Sequence, residues 1–276
     1  QHIDRNSYYG AQRDPNAYGK TNGVTAVAGG QYLYRLKIFE LTAGVEYSYD
    51  HLFDNPIGYA SESFYESMII KQHIHNASIY AQGEFKFNKW GFLVGGRLDN
   101  WYNASNKKYL CIPSPRVTFR YNPTHNINLR ATYGSGFRAP QAYDEDLHLT
   151  AVGGENVQTI LADGLKEERS NSFSGSIDYT THLGHWQANI LAEAFYTDLS
   201  DVFVIESISP AIQERRNGDG ARVYGVNIDA KVAHGKEATF QLGFTAQRSR
   251  YKSNEVWTEL EDGTPLTTKR MPKRRS

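Results

Sequence analysis

Alternation with a period of two runs through ten segments of this chain, and on one face of every segment it leaves no charge. Successive side chains of a β-strand point to opposite sides, so this pattern describes strands with two different environments. One face carries Val24, Ala26, Ala28, Tyr32 and Tyr34, then Leu41, Ala43, Val45, Tyr47 and Tyr49. It continues through Ile79 to Phe87, Trp90 to Leu98, Val117 to Tyr121 and Ile127 to Tyr133 in steps of two. The second half repeats it from Phe173 to Tyr179, Ala188 to Tyr196, Tyr224 to Val232 and Phe240 to Ala246. The opposite faces hold Glu46, Asp50, Glu84, Lys86, Arg97, Asp99, Arg120, Arg130, Asp178, Glu193, Asp229 and Lys231. Charged residues make up 22% of the chain, so their absence from the apolar faces is a selected property. A charge there would cost ~2–4 kcal/mol at a bilayer midplane.

Composition narrows the classes further. No apolar run reaches the ~18 residues of a spanning helix, which excludes a helical membrane protein. Tyr (19) and Phe (13) are abundant enough to drive folding, which argues against disorder. With 30 basic and 30 acidic residues there is no surplus for phosphate backbones, so no nucleic acid partner is expected. Cys111 is single and allows no internal disulfide. The opening Gln1-His2-Ile3-Asp4-Arg5 is polar and has no signal-peptide character, so in an exported protein the true N-terminus is expected upstream.

A soluble antiparallel sandwich also has one wet and one dry face. The connections choose between them. Short links are expected near 35–38, 88–90, 122–126, 182–185 and 234–237, alternating with long polar links near 51–72, 101–114, 137–166, 199–221 and 251–268. Short turns on one side and long loops on the other are the construction of outer-membrane barrels, and aromatics near the strand ends fit interfacial girdles. The sequence therefore predicts an all-β, antiparallel transmembrane β-barrel, with residues 1–20 as an external loop.

One stretch goes beyond architecture. Tyr133-Gly134-Ser135-Gly136-Phe137-Arg138-Ala139-Pro140 resembles the "YGxGFRAP" strand-to-loop segment of TonB-dependent outer-membrane receptors. Leu165-Lys166-Glu167-Glu168-Arg169-Ser170 resembles that family's "LKPE" strand start, with glutamate in place of its proline. Phe195-Tyr196-Thr197-Asp198 and Asn217-Gly218 ahead of Ala221-Arg222-Val223-Tyr224-Gly225 are similar to further family segments, and Asp4-Arg5-Asn6-Ser7-Tyr8-Tyr9-Gly10 resembles a loop of Bacteroidetes-type members. The resemblance implies about ten strands of a 22-stranded barrel, residues 1–276 being a partial barrel domain without its plug. It further implies energy-coupled uptake of a scarce nutrient such as an iron chelate, a corrinoid or a glycan. The partners implied are that nutrient, outer-membrane lipid and a TonB complex engaged through the N-terminal part. No cofactor is implied. A passive porin-like channel and a soluble β-sandwich binding module are the rival classes.

Candidate ligand contacts follow from the segment after the motif. Arg138, Tyr143, Asp144, Asp146 and His148 could bind a nutrient, although a solvated acidic loop has the same composition. His73 and His75 have the spacing of two imidazole ligands on one strand face, but no third ligand is apparent, and polar wall residues are the plainer reading. Lumenal charges are read chiefly as lateral ion pairs. No nucleophile, base and orienting partner stand together in the sequence, so catalysis is not expected.

Overall fold

The computed structural model describes residues 1–8, 18–55, 57, 69–140, 158–209, 212–259 and 265–270. The strands begin with β1 (His2–Tyr8), β2 (Tyr18–Arg35), β3 (Phe39–Asn55) and β4 (Ile70–Phe87). They continue with β5 (Trp90–Asn103), β6 (Lys108–Thr124), β7 (Ile127–Arg138) and the short β8 (Gln158–Leu161). Then come β9 (Glu168–Leu183), β10 (Trp186–Ser200), β11 (Phe203–Ser209) and β12 (Ile212–Asn217). The order ends with β13 (Ala221–His234), β14 (Ala238–Glu259) and β15 (Pro265–Arg270).

Twelve strands form one sheet in the order β1-β2-β3-β4-β5-β6-β7-β9-β10-β13-β14-β15. Every neighbouring pair is antiparallel. The other three form a small separate sheet, β11-β12-β8, in which β12 and β8 run parallel. Among the described residues β1 and β15 pair only inward, so the large sheet is an open section of wall.

Register joins the alternating faces across the belt, the shifts falling only near the β6–β7 turn and in the outer part of β14–β15. Val45 lies opposite Ile79, Ile79 opposite Leu98, and Phe92 opposite both Phe85 and Phe119. Further along, Ile177 pairs with Leu129 and Ala192, and Ala192 with Ile228. A one-residue shift anywhere would have moved the apolar set to the other side. This face is open: Val45 is 58% exposed, Ile79 56%, Phe240 67% and Leu242 74%. A sandwich would cover it with a second sheet. Here it is a continuous apolar exterior, the surface that lipid covers in a membrane barrel.

The expected short links are all tight turns at one end of the wall. Residues 88–89 and 184–185 join their strands directly, with Asn88 at φ 47° and Gly184 at φ 59°. Only residues that tolerate left-handed backbone fit such hairpins. An aromatic cluster marks this inner end, with Trp90 stacked on Tyr121 at 3.9 Å and Phe39 beside Phe85 at 4.7 Å.

At the outer end the expectations need correction. The ten expected strands are present, but β1 and β15 add two more to the sheet, within stretches read as loops. Residues 101–114 are not a long link: β5 and β6 run on, paired to Asn103 and Lys108, and close in a turn at 104–107. The segment 199–221 likewise contains the β11–β12 hairpin. The cause is physical. About 9–11 residues span a bilayer, whereas β2 has 18 residues and β3 has 17. Outside the hydrocarbon both faces can be polar, so hydrogen-bonded pairing persists while the apolar alternation that reveals it stops.

Candidate functional site

The lumenal face is built from ionic groups that satisfy one another. Arg97 on β5 is the hub: its Nη2 donates to Glu46 Oε1 at 2.6 Å and to Ser78 Oγ at 2.8 Å, and its Nε donates to Asp99 at 2.9 Å. Asp99 also accepts from Ser78 Oγ at 2.7 Å and Asn76 Nδ2 at 3.0 Å, and its side chain is only 3% exposed. Lower down, Glu84 lies 3.2 Å from Lys86 and 3.7 Å from Arg120. These are the lateral pairs expected of charges in a confined wall. Beside the hub, Gly44 leaves space that the Tyr80 ring fills, letting its hydroxyl donate to Gln31 Oε1 at 3.1 Å across β3.

Above the wall, the segments that carry the family resemblance meet in one joint. Arg138, the last residue of β7, forks onto Glu168, the first of β9: Nε donates to Oε2 at 2.6 Å and Nη2 to Oε1 at 2.9 Å. The same carboxylate accepts from the Phe203 backbone N–H at the start of β11. The Arg138 guanidinium lies 4.8 Å from the centre of the Phe203 ring, and that of buried Arg215 lies 5.9 Å from it. Glu168 is thus the carboxylate that gathers three strands.

Asn217 works the same way from the other side. Its Oδ1 accepts from the Lys166 N–H at 2.7 Å, and its Nδ2 donates to the Asp201 carbonyl at 2.7 Å and to that of Lys166 at 3.2 Å. Leu165 is buried, and its carbonyl accepts from Lys108 Nζ at the tip of the β5–β6 hairpin. Burial lowers the Lys108 pKa, against the opposing effect of Glu167. Small apolar clusters seat the joint on the wall: Ala139 and Phe137 against Ile74 and Trp101, and Val202 and Val204 against Ala221. Just past Asn217, Gly220 at φ 119° sits against the Leu199 carbonyl, a conformation and a closeness that a side chain would not allow.

Arg138 is therefore placed in the joint at the root of the segment that follows β7, with its guanidinium on Glu168 and Phe203. Tyr143, Asp144, Asp146 and His148 lie outside the described residues. His73 and His75 share a face, as their spacing implies, and it is the outward face. His75 Nδ1 is 2.7 Å from the Tyr47 hydroxyl, and the His73 ring is 4.4 Å from that of His51. Among the described residues no three His, Cys, Asp or Glu side chains gather to hold a metal ion. The roles of Phe203 and Arg215 carry no sequence signal, because their partners are fixed only when the β10–β13 connection folds back over the wall.

Comparison with known proteins agrees with this geometry. The family described as "TonB dependent receptor-like, beta-barrel" matches residues 1–275. Comparison with curated protein sequences gives no match. Among solved structures, the FrpB iron transporter from Neisseria meningitidis (F3-3 variant) is similar with a TM-score of 0.65 and 18% identity, over 85% of this chain and 36% of that one. The siderophore receptor PirA from Pseudomonas aeruginosa has a TM-score of 0.63 and 15% identity, over 84% of this chain and 43% of that one. The copper transporter OprC has a TM-score of 0.64 and 14% identity, over 84% and 38%. The chain thus spans less than half the length of these solved proteins. With the family match over 1–275, the uncharged outward belt and the joint formed by its motif segments, the chain belongs to the TonB-dependent receptor β-barrel family, whose members sit in the outer membrane of Gram-negative bacteria.

Proposed function

We propose that this chain is one part of a single barrel domain of a receptor that takes up a scarce nutrient across the outer membrane by energy coupling. The observation that carries the proposal is the joint of Arg138, Glu168, Phe203 and Asn217, which fixes both roots of the connection between β7 and β9 above a polar lumen wall. A passive pore has no need to anchor a long external segment with bidentate arginine and a threefold asparagine bridge. A capture device does, because preorganised loops bind at lower entropic cost. The segment so anchored includes Tyr143, Asp144, Asp146 and His148, and these, with Arg138 as their positioning residue, are the proposed nutrient contacts. The similar solved proteins are iron, siderophore and copper transporters, which favours a metal chelate over a glycan. Coupling to a TonB complex belongs to the whole receptor, and its role is transport without catalysis.

The test is uptake by cells expressing the complete receptor gene. Replacing Tyr143, Asp144, Asp146 and His148 with alanine together is expected to abolish growth on the limiting nutrient while surface expression persists. Undiminished uptake of every iron chelate, corrinoid and glycan offered would sink the assignment of these four residues. Uptake that survives removal of the membrane potential would sink energy coupling.

A further inference from the structure

At the outer rim, the outward faces of β10, β13 and β14 carry a concentrated positive charge that neither the wall nor the joint uses. Register sets it out in rows. Tyr196, Tyr224 and Arg248 are cross-strand partners, and one step further out Asp198, Arg222 and Arg250 are partners in turn. Lys252 follows two residues later on β14. All share the face that carries Phe240, Leu242, Phe244 and Ala246 below them. At ~3.4 Å per residue and a tilt of ~40°, Arg248 stands about 21 Å outward of Phe240 along the membrane normal. A barrel's apolar band is ~25 Å tall, so the cations begin where hydrocarbon ends and headgroups start.

Asp198 is the one carboxylate among these cations in the described residues. Lys252 Nζ and Arg222 Nε both converge on it, the latter at 3.4 Å. Arg169, the nearest cation on β9, is held by Glu167 at 2.8 Å. Among the described residues no ion pair reaches Arg248 or Arg250, and both are exposed. Like charges directly opposite each other, as Arg222 and Arg250 are, destabilise a strand pair unless an anion lies against them. Guanidinium forks match phosphate oxygens in two-point contact and are weakly hydrated, which suits a half-wet interface. Just below, Tyr196 and Tyr224 offer rings of the kind that sit at the boundary between acyl chain and headgroup.

The geometry points to a binding site for the phosphorylated headgroup of an outer-leaflet lipid, held on the outside of the wall by Arg222, Arg248 and Arg250. The site is independent of the nutrient that the lumen carries. At the outer ends of β3 and β4 the outward face bears His51, His73 and His75 with one lysine, Lys71, so the row of arginines belongs to the β13–β14 sector.

The experiment uses the full-length receptor in a neutral detergent, titrated with bisphosphorylated lipid A and read by native mass spectrometry. Dephosphorylated lipid A, phosphatidylcholine and inorganic phosphate are the comparison probes. The receptor is expected to retain the phosphorylated lipid, and R222Q/R248Q/R250Q to bind it at least about tenfold more weakly, as loss of charged hydrogen bonds implies. R116Q/R130Q, on the lumenal face, is expected to bind it as the parent does. Should the triple variant not fold, D198N decides: it adds net positive charge, so tighter binding supports the site, and unchanged or weaker binding overturns it. Equal retention of dephosphorylated lipid A or phosphatidylcholine also overturns it, as does displacement of the lipid by millimolar inorganic phosphate. A photo-crosslinker at position 248 that captures a protein in cells instead of lipid does the same.

Discussion

The two faces of the same strands are stabilised in opposite ways. On β9, Ile177 points outward, 56% exposed and opposite Leu129 and Ala192, while Ser176 points to the lumen opposite Arg130 and Glu193. The outward face gains nothing from specific pairing; its requirement is the absence of charge over the whole belt. The lumenal face accepts charge readily, provided each group finds partners, as the Arg97 hub shows. One surface is thus defined by what it excludes, and the other by a particular set of contacts. Substitutions should expose this difference directly.

The largest contrast is expected from neighbouring positions. Ile177→Arg should destabilise the barrel in lipid by ~2–4 kcal/mol, while Ser176→Arg, one residue away, should cost less than ~1 kcal/mol. Urea unfolding of the complete receptor in bilayers measures both. Equal losses at the two positions would mean that the outward belt is not lipid-facing.

Within the lumenal face, the Arg97 hub should behave as a unit. Arg97→Met removes the only cation on buried Asp99 among the described residues and should cost ~1–3 kcal/mol, part of it offset because Ser78 and Asn76 still donate. Adding Asp99→Asn to Arg97→Met should cost much less than the two changes separately, with a coupling of ~0.5–3 kcal/mol. Simple additivity in this double-mutant cycle would show that the charges are independent. A smaller effect of the same kind is expected at glycine. Gly44→Ala forces Tyr80 off its hydrogen bond to Gln31 and should cost ~1 kcal/mol or more, whereas outward-facing Gly30, with open space around it, should accept alanine within ~0.5 kcal/mol. Thermal unfolding of the two variants separates these outcomes.

This contrast also explains how much could be read from the chain before its structure. Exclusion leaves a periodic signature, so the ten wall strands, their facing and the short inner turns were legible from residues such as Val45, Ile79 and Ile177. Partner choice leaves none. Glu168 is visible only as part of a strand-start motif, and nothing in sequence joins it to Arg138 and Phe203 across two connections. The additional pairing of β1, β15 and the long β5–β6 hairpin leaves no alternation in the sequence, because above the membrane neither face needs to be apolar. The spacing of His73 and His75 implies one shared face, but spacing alone does not say which face that is.

The smallest expected effect lies at the rim where the two regimes meet. Asp198 stands above the girdle, on the outward face, yet is paired like a lumenal residue. Its hydrogen bond from Lys252 holds the carboxyl pKa below the ordinary carboxylate value, with Arg222 acting in the same direction. A carboxyl whose folded pKa is depressed stabilises the fold fully above its unfolded pKa of about 3.9 and loses that contribution as pH falls through the folded value. The unfolding midpoint should therefore show no dependence on Asp198 between neutral pH and about pH 5, and should fall only in the acid range. Asp198→Asn should flatten that acid fall and shift stability at neutral pH by less than ~1 kcal/mol, as expected for a solvent-accessible pair. A midpoint that depends on Asp198 above pH 5 would show that the rim pair does not hold the carboxyl ionised, and that the cations around it are engaged elsewhere.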